Sequence, residues 1–582
     1  MAHEYRGIGV SSGIAVGRVH LLHAPALPVV AEPVPPERVE QEIEEFHAAR
    51  EAARAELADL DDQVRRALGE AYVGILDAQR LILDDPALIA ETTTRIRVGR
   101  VSARWALREA VAEFTRRFDR VDDAYIRERG GELADVHRRL QRILRRSPET
   151  DEGLPEGPVV AVAHGLGPSD AIQLARKCVV GLATDAGGRT SHTAILAQAL
   201  SLPAVVGLHD FSRSVREGDL VILDGDSGIV TLTPSARETD VAEASRCSRI
   251  ATEKAMASAR DLPAVTTDGV EIVIRANIEF PSEIDSALRF GAHGIGLYRS
   301  EFLFLSRSPR LPTEEEHFET CMDIAGRTAP FPVNVRTLDL GGEKYFHEVL
   351  ERNEPNPVLG LRGVRFCLRR KDIFRPQIRG LLRAAAVREN IRILLPLITV
   401  PEEIRQVRAL MAEEAELLAS EGHPIRRDVP LGIMIEVPAA ALAADLLARE
   451  VDFLSIGTND LTQYALAVDR GNESLSYLYQ PFHPGLLRMI RAVVEAGRRC
   501  ATPVTICGEM AADPHAVGLL VGLGLRELSV QPRAVGAVRQ VVRRLDTGAA
   551  ARLASDALDR ATAEEVERVL AAAAVPAGEE LE

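Results

Sequence analysis

The segment GGRTSHTAILAQAL, residues 187–200, places a histidine at the start of a pattern that is typical of a capped helix. Two glycines allow a tight turn, and Thr190 or Ser191 can cap the helix that the following apolar residues would bury. His192 then lies in the first turn, where exposed N–H groups and the helix dipole favour an anion and disfavour an imidazolium. We therefore expect a neutral, nucleophilic imidazole that can hold an anionic group. On this segment alone, a histidine that only decorates a capped helix remains the alternative.

A second group of polar residues comes directly after short apolar runs in the C-terminal half of the chain. Its members are Arg299, Arg336, Asp339, Glu436, Asn459, Asp460, Arg470 and Cys507. In a barrel of parallel strands, residues just past the carboxyl end of each strand face one mouth. We therefore expect these side chains to converge on a single site.

The chemistry of this group fits a small ligand with two anionic groups. Magnesium usually takes one or two protein carboxylates together with substrate oxygens, which makes Glu436 and Asp460 a candidate pair of ligands. Arginine forks match phosphate and carboxylate oxygens, which suits Arg299, Arg336 and Arg470. For any one arginine a salt bridge is the simpler interpretation, but three of them beside two carboxylates favour a site.

The elements that must position this group are eight apolar runs that alternate with helical segments. The runs are EIVIRAN, HGIGLY, VNVRTLD, IRILLPL, LGIMIE, DFLSIG, PVTIC and RELSV. Their number and rhythm predict a (β/α)₈ barrel over residues 262–582.

The N-terminal part predicts a different architecture. Short β-branched runs with glycine turns in residues 1–33 and 148–234 indicate one α/β domain, which includes His192. Between them, residues 34–147 repeat apolar positions at steps of three and four, which predicts a helical bundle inserted in that domain. Residues 235–261 predict a linker helix. The fold class is therefore a multidomain α/β protein in which an α/β domain with an inserted bundle precedes a barrel.

Composition excludes several classes of function. The net charge of −16 argues against nucleic acid and anionic membranes and favours a basic protein partner. The chain has no apolar stretch long enough to span a bilayer, and its start lacks the pattern of a signal peptide, so we expect a cytoplasmic protein. Six scattered cysteines indicate neither a disulfide framework nor a zinc site.

The motifs together resemble enzyme I of the bacterial phosphoenolpyruvate-dependent sugar phosphotransferase system, across nearly the whole chain. The matching stretches are GGRTSHTAI, GIGLYRSEFLF, VRTLDLGGEK, GIMIEVPAA, FLSIGTNDLTQY, AVDRGN and ICGEM. The resemblance implies a transfer of the phosphoryl group from phosphoenolpyruvate to His192 and on to the phosphocarrier protein HPr. It implies phosphoenolpyruvate binding by Arg299, Arg336, Asn459, Asp460 and Arg470, Mg²⁺ binding by Glu436 and Asp460, and proton transfer at the enolate carbon by Cys507. It further implies that the bundle docks HPr and that the barrel forms a homodimer.

One departure and three alternatives accompany this resemblance. The chain has Ser169-Asp170-Ala171 where the family usually carries a threonine at the third position, which puts the orientation of His192 in doubt but not the reaction type. Related dikinases and synthases add an ATP-binding domain, whereas none of the four lysines here follows a glycine as in a phosphate-binding loop. A Mg²⁺-dependent lyase acting on a pyruvate enolate would leave His192 without a purpose. A regulatory, nitrogen-type paralogue usually carries an extra N-terminal sensor domain.

Overall fold

The computed structural model describes residues 3–22, 31, 33–68, 77–118, 124–145, 157–166, 178–188, 193–194, 197, 202–258, 260–307, 310–340, 356–470 and 472–573. His192, Thr190, Ser191 and the segment 169–171 lie outside these residues, so the predictions that concern them stay predictions. The chain divides into two compact units, Met1–Thr252 and Glu253–Glu582. No helix among the described residues is long and apolar enough to cross a membrane.

The first unit contains an eight-stranded sheet. Its strands are β1 (His3–Arg6), β2 (Ile8–Ser11), β3 (Ile14–Leu21), β4 (Val159–Ala163), β5 (Val179–Thr184), β6 (Ala204–Val206), β7 (Leu220–Asp224) and β8 (Ile229–Leu232), in the order β1-β8-β7-β3-β4-β5-β6-β2. Strands β3 to β6 pair in parallel, and the remaining pairs are antiparallel. All five residues of β4 are buried, as expected for a parallel strand that is covered on both faces.

Within the part of the chain that the structure describes, five α-helices lie between β3 and β4. They are Val39–Leu68, Asp77–Leu83, Pro86–Gly99, Ala103–Phe118 and Ala124–Leu144. The residues at steps of three and four form a common apolar core in which Phe46, Leu57 and Leu107 are fully buried. Asp85 caps the third helix by accepting a hydrogen bond of 2.7 Å from the backbone N–H of Ala87. Two further helices, Phe211–Ser214 and Ala236–Ser258, follow β6 and β8.

The second unit is a closed barrel of eight parallel strands, with one strand inside or overlapping each predicted apolar run. The strands are β9 (Val273–Ile278), β10 (Ile295–Arg299), β11 (Val333–Arg336), β12 (Ile391–Leu395), β13 (Leu431–Ile435), β14 (Phe453–Ile456), β15 (Val504–Ile506) and β16 (Glu527–Val530), and β16 pairs with β9. The helices around them are Ile284–Arg289, Glu301–Arg307, Glu314–Thr328, Gly363–Arg369, Lys371–Val387, Pro401–Ser420, Pro438–Leu442, Ala444–Leu447, Thr458–Leu466, Pro484–Cys500, Pro514–Gly522, Val535–Arg544, Thr547–Leu558 and Ala563–Ala573. The predicted fold class is confirmed, while the finer four-part division of the chain stays a prediction.

Alternation along the strands separates two apolar layers in the barrel. One set of strand residues packs outward in the main core with the helices, as Ile274, Ile393 and Ile433 do. A second, separate cluster consists of Leu297, Leu394, Met434, Phe453 and Cys507. Because all eight strands run in one direction, their carboxyl ends meet at one rim, and the polar residues that follow them share one mouth.

Candidate active site

The barrel places the predicted group at this rim. Arg299 and Arg336 are the last residues of β10 and β11, and Glu436 and Cys507 come directly after β13 and β15. Asn459 and Asp460 lie in the first turn of helix Thr458–Leu466, which follows β14. The strand-end rule therefore accounts for the position of each of these side chains.

Three carboxylates meet inside the mouth. Asp339, Glu436 and Asp460 each offer one oxygen, and these oxygens lie within 4.8 Å of one another. Burial, together with the charges of Asp339 and Asp460, raises the pKa of Glu436 to about 8, and burial likewise raises the pKa of Asp339. Oxygen donors of this kind fit Mg²⁺, whose charge would relieve their mutual repulsion. Sequence reasoning placed Asp339 at the rim but did not count it among the metal ligands.

Two largely buried arginines pair with two of these carboxylates, Asp339 and Asp460. Arg336 contacts Glu301 and Asp339, each at 3.1 Å. Arg362 reaches Asp339 and Asp460 through one nitrogen, Nη2, which lies 2.9 Å from each carboxylate. Burial alone would lower the pKa of both guanidinium groups, but the surrounding carboxylates raise it above its ordinary value. Both arginines therefore stay charged in the mouth.

Sequence reasoning missed Arg362 because this residue does not follow a strand. It precedes helix Gly363–Arg369, where Gly363 has a φ of +56°, and a Cβ added there would lie 2.9 Å from the Cβ of Leu397 and 3.1 Å from Asp339 Oδ1. Only glycine fits this conformation and this space, so the GLRGVR stretch holds the preceding arginine against the carboxylates. The Arg-Gly pair is a signal that could be recognised only once Asp339 was known to lie beside it.

Three predicted substrate ligands are more exposed, and each is paired with a carboxylate of the protein. Arg299 donates to Glu279 Oε1 at 2.6 Å. Arg470 lies 3.6 Å from Asp460 Oδ1. The side chain of Asn459 donates to Glu509 Oε1 at 3.0 Å and accepts from the Glu509 backbone N–H at 2.9 Å. Protein groups therefore hold all three side chains in defined positions.

Cys507 is buried beneath this rim and keeps its proton. The Ser455 hydroxyl donates to its sulfur at 3.2 Å, and the thiol donates to the Ile456 carbonyl at 3.6 Å. Burial raises the pKa of the thiol, and Glu436 raises it further, while Arg336 and Arg299 act in the opposite direction. The same side chain packs in the inner apolar cluster of the barrel.

Comparisons with known proteins identify the family. Family models of a PEP-utilising enzyme match in three parts: the N-terminal domain over residues 6–129, the mobile domain over 155–228 and the PEP-binding domain over 253–547. A phosphoenolpyruvate-protein phosphotransferase of Staphylococcus aureus is 40% identical over 566 residues, which cover 97% of this chain and 98% of the relative. The chain belongs to the phosphoenolpyruvate-protein phosphotransferase family, enzyme I.

Two further relatives agree with this assignment. Phosphoenolpyruvate-protein phosphotransferases of Bacillus sp. (strain S) and Geobacillus stearothermophilus are each 41% identical over 560 residues, covering 96% of this chain and 96% of each relative. A solution structure of an enzyme I protein, nEIt, matches 42% of this chain and 99% of its own length, with 32% identity and a TM-score of 0.34. His192 falls in the part matched by the mobile domain, and the rim residues fall in the part matched by the PEP-binding domain. The resemblance expected from the motifs is confirmed.

Proposed function

We propose that this enzyme I transfers the phosphoryl group of phosphoenolpyruvate to its own His192 and then to a histidine of HPr, releasing pyruvate in the first step of sugar phosphotransferase transport. The observation that carries the proposal is the match to phosphoenolpyruvate-protein phosphotransferases over 97% of the chain. A barrel mouth that combines arginines with a set of three buried carboxylates supports it.

Phosphoenolpyruvate binding is assigned to Arg299, Arg336, Asn459, Asp460 and Arg470. The substrate carries a phosphate and a carboxylate, and planar guanidinium forks match the oxygens of both groups. Arg362 adds a further cation beside Asp339 and Asp460. Together the arginines hold the phosphoryl group and the leaving enolate in one orientation, which lowers the entropic part of the barrier.

The divalent cation is assigned to Glu436 and Asp460, and Asp339 adds a third oxygen of the same cluster. Mg²⁺ held there would supply positive charge toward the phosphoryl oxygens and the developing enolate. The protein part of this arrangement is the fixed direction of the carboxylates. Glu436, for example, accepts a hydrogen bond of 2.6 Å from the backbone N–H of Leu397.

In the proposed reaction an imidazole nitrogen of His192 attacks phosphorus, and the bond between phosphorus and the enol oxygen breaks. The electron pair of that bond stays on the enolate, whose methylene carbon takes the proton of Cys507 and becomes the methyl group of pyruvate. The thiolate then regains a proton from solvent. Burial of Cys507 favours the thiol over the thiolate, so the proton is present when the enolate forms.

Partners and location follow from the same assignment. The helices between β3 and β4 are proposed to dock HPr, and residues 34–147 to form the corresponding domain. A homodimer through the barrel is proposed from the resemblance to enzyme I alone. All six cysteines are free, which favours the reducing cytoplasm.

A phosphorylation assay tests the proposed function and separates it from a nitrogen-type paralogue. The full chain is incubated with labelled phosphoenolpyruvate and Mg²⁺, with and without HPr from a sugar phosphotransferase system. We expect label on the protein, transfer of that label to HPr, and no label in His192→Ala. The control His209→Asn should be labelled normally. Residue 209 has a left-handed backbone conformation, which asparagine tolerates. Labelling without transfer to this HPr would favour a regulatory paralogue, and pyruvate release without labelling would favour a lyase.

A further inference from the structure

Glu279 lies at the mouth of the barrel and has no role in the proposed reaction. It comes directly after β9, at the rim that the substrate ligands share, and it accepts a hydrogen bond of 2.6 Å from Arg299 Nη1. We propose that Glu279 is a built-in competitor of the substrate, a carboxylate that occupies the Arg299 fork until an anion displaces it and that thereby sets the affinity for phosphoenolpyruvate. This inference rests on the proposed role of Arg299 as a substrate ligand.

The loop that carries Glu279 is held in place by two contacts. The half-buried carboxylate of Glu283 accepts hydrogen bonds from the backbone N–H groups of Glu279 at 2.7 Å and Phe280 at 2.8 Å. The ring of Phe280 packs edge-on against Phe302, with centroids 4.2 Å apart, and Phe302 belongs to the helix that begins two residues after Arg299. These contacts connect the loop that carries Glu279 to the helix that follows Arg299. The fold therefore holds the Glu279 carboxylate opposite the Arg299 guanidinium.

The exposure of the pair determines the direction of its effect. The side chains of Arg299 and Glu279 are 38% and 49% exposed, and an exposed ion pair contributes little free energy, so a substrate with two anionic groups can displace it. After displacement, the Glu279 carboxylate remains beside the bound anion and repels it. The buried carboxylates around Arg336 and Arg362 differ, because Asp339 and Asp460 also belong to the metal cluster. Replacing Glu279 therefore removes competition without removing a metal ligand.

The test compares steady-state kinetics of the full chain with those of Glu279→Gln, which keeps the size of the side chain and removes its charge. We expect KM for phosphoenolpyruvate to fall about 1.5- to 5-fold, the factor that corresponds to an exposed ion pair, with kcat unchanged. The gain should shrink at about 1 M KCl, where charges beyond about 3 Å are screened. Glu279→Asp should return KM toward the wild-type value, since it restores the charge.

Two controls separate competition from a general change of charge. Glu413 pairs with Arg375 at 2.8 Å with similar exposures of 52% and 32%, so Glu413→Gln should leave KM unchanged. In the Arg299→Met background the effect of Glu279→Gln on KM should be smaller, because no guanidinium fork remains to compete for and only the repulsion between Glu279 and the anion is left. An unchanged or raised KM in Glu279→Gln, or the same gain without Arg299, would overturn the inference.

A binding measurement keeps this result independent of the proposed function. Inorganic phosphate is titrated into the same variants by calorimetry, and we expect Glu279→Gln to bind it about 1.5- to 5-fold more tightly than wild type. If phosphoenolpyruvate labels no variant but phosphate binding tightens, the proposed function fails and the competition at Arg299 stands. If labelling is normal and neither KM nor phosphate affinity changes, the function stands and this inference fails.

Discussion

Arg362→Met tests whether the carboxylate cluster is held together by an arginine until a metal binds. In the structure, Nη2 of Arg362 contacts Asp339 and Asp460, whose side chains are only 3% and 8% exposed. Methionine fills similar space but carries no charge. The substitution therefore leaves less positive charge beside the carboxyl groups of Asp339, Glu436 and Asp460. Removing one partner of a buried ion pair leaves the other charge uncompensated. We therefore expect the free energy of unfolding, measured in the presence of a chelator, to fall by about 3–5 kcal/mol.

Mg²⁺ should reverse part of this loss. A cation that binds only the folded state adds about 2.7 kcal/mol at 100 times its Kd. The variant has lost the arginine that competes for the same oxygens, so its Kd for Mg²⁺ should be lower and its gain larger than that of wild type. The affinity of the variant for phosphoenolpyruvate should instead be lower than that of wild type. Losing one charge-assisted hydrogen bond, worth about 1.5–3 kcal/mol, raises KM about 10- to 100-fold.

Calorimetric unfolding with chelator and with Mg²⁺ measures these effects. Fluorescence is unsuitable, because the single tryptophan, Trp105, lies in the helix Ala103–Phe118 of the first unit. Arg375→Met is the matched control, since Arg375 pairs with the buried Glu414, which is not a member of the metal cluster. It should destabilise the barrel without a larger Mg²⁺ response. Equal Mg²⁺ stabilisation of wild type and Arg362→Met, or no loss of stability in chelator, would refute the reasoning.

Three other predictions concern proton transfer, metal binding and pH. Cys507→Ala should lose turnover of phosphoenolpyruvate, measured as pyruvate release, yet keep phosphoryl exchange between His192 and HPr, because only the former needs the proton. Glu436→Gln and Asp460→Asn should each raise the Mg²⁺ concentration required for half-maximal labelling, since each removes one fixed charge. Burial lowers the pKa of His317 to about 4, below the 6.5 of an unfolded chain, so stability is lost as pH falls through 6.5. His317→Gln should abolish about 2 kcal/mol of that loss at about pH 5, measured by urea unfolding.

A different result would contradict each of these three predictions. Turnover of Cys507→Ala equal to that of wild type would assign this thiol to the apolar core alone. An unchanged Mg²⁺ requirement in both carboxylate variants would place the metal elsewhere. A wild-type profile in His317→Gln would mean that this ring does not titrate on unfolding.

The sequence predicted the rim residues because their positions follow from local rules. A buried parallel strand is a short apolar run, its last residue is recognisable, and the closed barrel brings all carboxyl ends together. Arg299, Arg336 and Glu436 therefore needed no tertiary information. The helical periodicity was nearly as informative, because the residues at steps of three and four form the common apolar core of the helices between β3 and β4.

Other features depend on contacts that no local pattern contains. Strand β1, with the sequence HEYR, is polar and largely exposed, and it forms by backbone pairing with β8 rather than by burial. Arg362 reaches the site from a helix start, and Glu279 acquires its partner only when β9 and β10 become neighbours. The strand-end rule finds a residue at the rim, but it does not say which residue another segment of the chain will bring against it.

Mapping the phosphoryl group tests the central claim most directly. The full chain is incubated with phosphoenolpyruvate and Mg²⁺, digested at alkaline pH to preserve a phosphoramidate, and analysed by tandem mass spectrometry. We expect a phosphoryl group on His192 that is labile in acid and stable in alkali. An acid-stable phosphate on Thr190 or Ser191, or the absence of any label on the segment 187–200, would contradict it.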